Sequence, residues 1–304
     1  MKIKLKMTAI IICALILISC VSSQPDEIPD SFGIEYIPDE RRLNCKHTDL
    51  TEFYNSLQKP KEFMLNGDIC GGIVPHHLAA ATLISGFFKA VAESGGAYDT
   101  VVIVAPNHEG ATGDIVVSFR DWQVWDAVYC DIELVGGVYK KSPDGVVITE
   151  NDSRMEDEHS VSVLIPYISY YLPDAKVAAF LLNRRLTLET VYNFSGILSD
   201  EITASGKKIL FIGSIDFSHY LPVSLAAGND RITEATIMDR NYRAIQEFSN
   251  EYVDSPQALN TFLLYLQNAG MDNIEILYNT DMSEFYGEGI HETTSYFIIA
   301  AYEK

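Results

Sequence analysis

Hydrophobic and polar positions along this 304-residue chain follow one repeated arrangement, a short β-branched apolar run that stops at a polar cluster. Residues 69–75 run into His76-His77, and residues 100–106 into Asn107-His108-Glu109. Residues 208–214 run into a stretch that holds Asp216, Phe217, Ser218 and His219. Continuous apolar runs of this length are strands buried on both faces, as in a parallel sheet. Between the first two, residues 78–93 are alanine-rich with helical periodicity and are closed by Gly95-Gly96; the 32-residue step from His76 to His108 is the size of one βαβ unit. The same reading predicts further helices over 160–171, 186–204, 230–250 and 256–269. Further strands are predicted over 114–119, 175–182, 274–278 and 294–301. Strands alternating with helices throughout predict an α/β fold, a three-layer sandwich around a mostly parallel central sheet, with residues 41–304 as one domain.

The start of the chain follows a different pattern. Lys2, Lys4 and Lys6 precede an uncharged apolar run over 7–18, which has the length of a signal-peptide core and is too short for a helix to cross roughly 30 Å of hydrocarbon. Leu17-Ile18-Ser19-Cys20 resembles a bacterial lipobox. The expectation is a lipoprotein signal peptide over 1–19, lipidation of Cys20, and a flexible tether over 20–40 marked by Pro25, Pro29 and Pro38. That predicts an exported lipoprotein of the bacterial cell envelope, touching the membrane through Cys20 only. Beyond it remain Cys45, Cys70 and Cys130, enough for at most one internal disulfide and without the spacing of a cysteine-built zinc site. A formal charge of −20 repels phosphate backbones, so no nucleic-acid partner is expected.

Ligands of open α/β sheets bind outside the carboxyl ends of the strands. His76, His108, Asp216 and His219 each follow a predicted buried strand, so all four should emerge on one edge. Neutral imidazoles meeting a carboxylate suit Fe(II), Zn(II) or Cu(II). Without a metal, the same groups form an acid–base set that titrates near neutral pH. Each residue also has a plainer role. His76 suits a helix start beside Pro75, with His77 pointing away from the edge, and Asn107 with Gly110 suits a tight turn around His108. Asp216 and His219, three residues apart, share a face if the turn there is helical. Glu156, Asp157 and Glu158 ahead of His159 are explained by the dipole of the adjoining helix, which leaves His159 between a structural and a site role. His47 and His291 fall in loops and carry no argument. Dinucleotide-binding, Walker, nucleophile-elbow and His-Glu-x-x-His signatures do not occur, and Ser214 lacks the glycines a nucleophilic serine needs.

Four ordered motifs carry a family resemblance: Val74-Pro75-His76, Val104-Ala105-Pro106-Asn107-His108, Glu156-Asp157-Glu158-His159-Ser160 and Ser214-Ile215-Asp216-Phe217-Ser218-His219-Tyr220. Together with Thr294-Ser295-Tyr296-Phe297 they resemble the MEMO family, also called AmmeMemoRadiSam system protein B, over roughly residues 68–302. The resemblance implies a fold related to class III extradiol dioxygenases, which are non-haem Fe(II) enzymes. It implies metal binding by His76 and His108, with Asp216 and His219 as further pocket residues. The chain departs from the family where Pro75-His76-His77-Leu78 replaces a common Pro-His-Ala-Gly, and where no cysteine precedes the late helix. At that cysteine's position Glu251 stands nearest and Asp254 is the other candidate, and a carboxylate there would complete a two-His-one-carboxylate set.

The resulting expectation is a lipid-anchored oxidoreductase whose divalent metal, iron ahead of copper or zinc, is held by His76, His108 and Glu251. His219, oriented by Asp216, and His159 take the catalytic roles. The alternative is a binding protein that keeps the fold and uses the pocket for a small-molecule or peptide ligand.

Overall fold

The computed structural model describes residues 42–110, 113–142, 145–271, 273–287 and 289–303. The expected signal peptide, Cys20 and the tether lie outside them. The chain runs β1 (Leu43–Asn44), α1 (Leu50–Gln58), β2 (Ile69–Val74), a 3₁₀ turn (Leu78–Ala80), α2 (Ala81–Glu93) and β3 (Thr100–Pro106). Next come β4 (Ile115–Val117), β5 (Trp122–Gln123), β6 (Ala127–Val128), α3 (Ile132–Lys140), β7 (Ile148–Glu150), α4 (Asp152–Asp157), α5 (His159–Ser162) and α6 (Ile165–Tyr171). After these are β8 (Lys176–Leu182), α7 (Leu188–Ser205), β9 (Ile209–Ser214), α8 (Val223–Met238) and α9 (Tyr242–Gln246). The last elements are α10 (Pro256–Asn268), β10 (Asn273–Asp281), α11 (Ser283–Tyr286) and β11 (Ser295–Tyr302).

Eight strands form the large sheet in the order β10-β11-β2-β9-β3-β8-β4-β7. Its middle, β2, β9, β3 and β8, is parallel throughout, and antiparallel pairs occur toward both sides. Successive side chains of a strand point to opposite faces, and each middle strand is apolar on both. Val102 and Val104 of β3 join a core with Val135 of α3, Phe194 and Leu198 of α7, and Phe262 and Leu263 of α10. Val101, Ile103 and Ala105 join the opposite core, with Phe53 of α1, Ile84, Phe87 and Phe88 of α2, and Tyr167 of α6. Helices therefore cover the sheet on both faces, which is the mixed α/β three-layer arrangement the pattern predicts. Gly72 in β2 makes one close approach possible: a Cβ there would lie 2.4 Å from the Phe87 ring and 2.6 Å from the Ile299 carbonyl.

Differences from the sequence expectation fall where tertiary pairing overrides local pattern. The helix expected over 230–250 starts earlier, at Val223 after Pro222, and is broken into α8 and α9. Arg240 takes the left-handed φ of 54° that ends the first piece, and Asn241 caps the second at Ala244 N. The helix expected over 160–171 is likewise two pieces, α5 and α6, with Pro166 in the first turn of the second. A small sheet, β1-β5-β6, has strands of two residues, too short to leave a period in the sequence. Cys45, Cys70 and Cys130 are free thiols, and burial pushes Cys70 and Cys130 up to about 12. No helix among the described residues is long and apolar enough to cross a membrane.

Asp131 ties three elements at the sheet edge remote from the histidines. Fully buried, it caps α3 at Leu134 N (3.2 Å), accepts from Thr100 Oγ1 of β3 (2.5 Å) and holds Lys207 Nζ at 2.8 Å on both oxygens. Burial pushes its carboxyl up, but Lys207, Thr100 and the Leu134 N–H outweigh this and hold it below the ordinary value. Asp131→Asn is expected to cost about 2 kcal/mol in urea unfolding, discounted because Lys207 is partly exposed. A depressed folded pKa stabilises above the unfolded value of about 3.9, so the penalty holds from neutral pH down to about 4 and shrinks below it.

Candidate metal centre

Because β2, β3 and β9 are parallel neighbours, their carboxyl ends release His76, His108 and the 215–219 segment onto one edge. The rings of His76 and His108 lie 5.3 Å apart at 78°. His159, at the start of α5, stacks on His108 (4.3 Å, 22°) and meets His76 edge-on at 5.2 Å. One ring nitrogen from each lies within 4.8 Å of the others, so the three imidazoles can hold a metal ion. Metal–nitrogen bonds of about 2.0–2.1 Å require only that the set draw inward.

Buried partners fix which nitrogen faces the cavity. Ser214 Oγ spends its one hydrogen on the Ser160 carbonyl, so it can only accept from His76 Nδ1, 3.2 Å away. Glu158 accepts the His108 backbone N–H (3.0 Å) and its Nδ1 (2.7 Å), the Arg154 guanidinium (2.7 Å) and Ser160 N (3.2 Å). Burial pushes Glu158 up, but His108 and its other donors hold it well below the usual carboxylate range. Both histidines thus carry a hydrogen on Nδ1 and turn Nε2 toward the cavity, the arrangement that orients metal-binding imidazoles elsewhere. Burial together with the imidazoles of His76 and His108 pushes His159 down to about 3, so its ring stays neutral at neutral pH.

Two carboxylates complete the cluster. Asp254 Oδ2 lies 3.2 Å from His76 Nε2 and 3.9 Å from His108 Nε2; Asp216 Oδ2 lies 3.5 Å from His76 Nε2. Burial pushes His76 down, but Asp216, Asp254 and Glu158 more than reverse this and raise it to about 9. A site that draws a proton this strongly is equally suited to a cation. Asp254 Oδ1 is buried without a hydrogen-bond partner among the described residues, a free acceptor on the carboxylate whose other oxygen faces His76 and His108. The donor set, imidazoles with carboxylate, fits a borderline divalent ion.

The structure places some residues differently from the sequence reading. Glu251, expected as third ligand, is exposed and off the cavity wall; Asp254 occupies that place instead. The cause is the antiparallel bridge between Phe217 and Val253, which buries Val253, while Asp254 N bonds the Asp216 carbonyl (3.1 Å). The turn after β9 is not helical, so Asp216 does not orient His219: its Oδ1 accepts the His76 N–H (3.1 Å). His219 lines the cavity with Nδ1 unpartnered among the described residues. His77, expected to point away, lines the same cavity, its Nδ1 2.6 Å from the hydroxyl of Tyr296. Sequence reasoning assigned Glu158 to a helix dipole and set Ser214 aside, yet these two orient His108 and His76. Their signal was position, each beside a candidate histidine or strand end.

The cavity has a volume of about 570 Å³. Beyond the histidines and aspartates its wall includes Arg184, Tyr220 and Met282.

A family model described as Memo-like protein matches residues 32–282. The chain belongs to this family. The match starts earlier than the motifs alone indicated, reaching into the segment before β1. A MEMO1 family protein of Pyrobaculum aerophilum is 27% identical over 206 residues, 65% of this chain and 69% of the relative. Another, of Pyrobaculum arsenaticum, is 25% identical over 228 residues, 73% and 79% of the two chains. Among solved structures, uncharacterized protein JW3007 from Escherichia coli K12 aligns with a TM-score of 0.52 at 12% identity, covering 77% of this chain and 100% of that one. That likeness concerns the fold. Memo-like membership and the three-imidazole cluster are consistent with a bound divalent metal.

Proposed function

We propose that this Memo-like chain is a lipid-anchored, metal-dependent oxidoreductase of the extradiol-dioxygenase type. The observation that carries the reading is the convergence of His76, His108 and His159 with the Asp254 carboxylate at the wall of one cavity. His76 and His108 would hold the ion, Asp254 would supply the anionic donor, and His159 would stand as a further imidazole donor or a neutral base. When bound, a divalent ion, iron ahead of copper or zinc, supplies Lewis acidity or electron transfer. His219, whose ring lines the cavity, serves as the group that moves a proton there. Asp216 keeps the His76 backbone and ring in place rather than serving His219. The resemblance of Leu17-Ile18-Ser19-Cys20 to a lipobox supports the anchor and a place outside the cytoplasm.

The test is oxygen uptake by the mature chain, prepared without oxygen, loaded with Fe(II) and mixed in air with a panel of o-diphenols. Uptake with yellow ring-opened products is expected, lost in His219→Ala at unchanged metal content. Retained metal without turnover of any compound would favour the binding-protein alternative. Expression with Cys20→Ala is expected to move the chain out of the membrane fraction; no change would remove the anchor.

A further inference from the structure

Two consecutive buried polar residues of α8, Asn229 and Asp230, are not part of the cavity wall. Neighbouring positions on a helix point about 100° apart, so the two side chains reach different segments. Asn229 Nδ2 donates to the Glu251 carbonyl at 2.8 Å. Asp230 Oδ1 accepts from Ser218 Oγ (2.8 Å) and Ser295 Oγ (2.7 Å), and Oδ2 accepts from Asn279 Nδ2 (2.9 Å). Among the described residues no cation pairs with this carboxylate, which neutral donors alone offset. Burying an unpaired charge is costly, and a neutral side chain would suffice if packing were its only task.

The segments these two residues hold explain the cost. Ser218 lies between Asp216 and His219, and Glu251 lies in the turn that leads to Asp254. The two segments are already cross-tied by Asp254 N to the Asp216 carbonyl (3.1 Å), Asp216 N to Asp254 Oδ2 (3.3 Å) and His219 N to the Asn250 carbonyl (2.9 Å). Neither segment is regular secondary structure, and Tyr220 beside them is held at a left-handed φ of 56°. Such a conformation persists only where the surroundings over-determine it.

We propose that Asn229 and Asp230 are positioning residues that use α8 as a common support for the two loops delivering Asp216, His219 and Asp254 to the metal centre. The proposal rests on the metal-centre reading of the cavity. Its test compares Ser218→Ala with Ser295→Ala. Each removes a similarly short hydroxyl bond from the same Asp230 oxygen, Ser218 also losing a longer contact to the Ala226 carbonyl of α8 (3.5 Å), but only Ser218 sits in a site loop. Zn(II) affinity of the mature chain is measured by chelator competition, alongside the melting temperature of the metal-free protein. Ser218→Ala and Asn229→Ala are expected to weaken Zn(II) binding by about tenfold or more, the usual effect of losing a group that orients ligands. Ser295→Ala should lower the melting temperature as much as Ser218→Ala does, yet leave affinity within about twofold. Equal affinity losses in the two serine variants would overturn the proposal. A second readout is amide exchange over 217–220 in the metal-free protein, expected to accelerate more in Ser218→Ala. If the wild type takes up no Zn(II), the metal reading fails by itself and amide exchange decides: equal acceleration in the two variants overturns the positioning role.

Discussion

His76→Ala/His108→Ala is expected to lose bound iron, copper and zinc together, with affinity falling by at least about three orders of magnitude. A full set of protein ligands contributes on the order of 10–16 kcal/mol, so removing two imidazoles takes several kcal/mol with them. Metal analysis of the purified mature chain, followed by chelator competition, reads this directly. The same assay separates the two carboxylates at the late loop. Asp254→Ala should weaken binding by at least about tenfold, because its Oδ2 faces both Nε2 atoms. Glu251→Ala should leave affinity unchanged, because its side chain is exposed and its hydrogen bonds run through its backbone. Undiminished metal in the double histidine variant would refute the centre, and the reverse order of the carboxylates would refute the loop assignment.

Glu158→Ala is expected to be the most damaging single change to both stability and the site. The side chain is 0% exposed and accepts from His108 twice, from Arg154 and from Ser160. Its removal leaves the Arg154 guanidinium, itself buried, with only the exposed Glu109 as ionic partner among the described residues. Breaking one half of a buried pair typically costs about 3–5 kcal/mol. His108 also loses the acceptor that fixes its ring, for which about a 10–100-fold loss of metal affinity is expected. Urea unfolding and chelator competition measure the two effects separately. Glu158→Gln keeps an acceptor oxygen but puts an NH₂ group where a carboxylate oxygen faced donors, so it should recover only part of each loss. Full recovery would show that charge at this position is dispensable.

These expectations depend on features that were unevenly legible in the chain. The apolar runs that became β2, β3 and β9 announced themselves because a strand buried on both faces is apolar through its interior, with Thr100 and Ser214 standing only at strand ends. Parallel strands release their next residues onto a shared edge, so His76 and His108 could be brought together without coordinates. The four family motifs fell on the same residues. Short elements such as the two-residue strands β5 and β6 carried no such record. The break at Arg240 was equally silent, since nothing local demands a left-handed residue there.

The layered α/β architecture and the edge on which imidazoles gather were determined by the amino-acid order itself, since burial on two faces writes a period into the sequence. Tertiary structure alone decided which polar groups serve them. Asp254 rather than Glu251 reaches the cavity because Phe217 pairs with Val253 across a long stretch of chain. Asp216 supports His76 rather than His219 because the segment after β9 is not helical. Glu158 and Ser214 became orienting groups because elements far apart in the chain meet at them. Hydrogen bonds between remote loops depend on a side chain's direction to within a few tenths of an ångström, and no local periodicity encodes that.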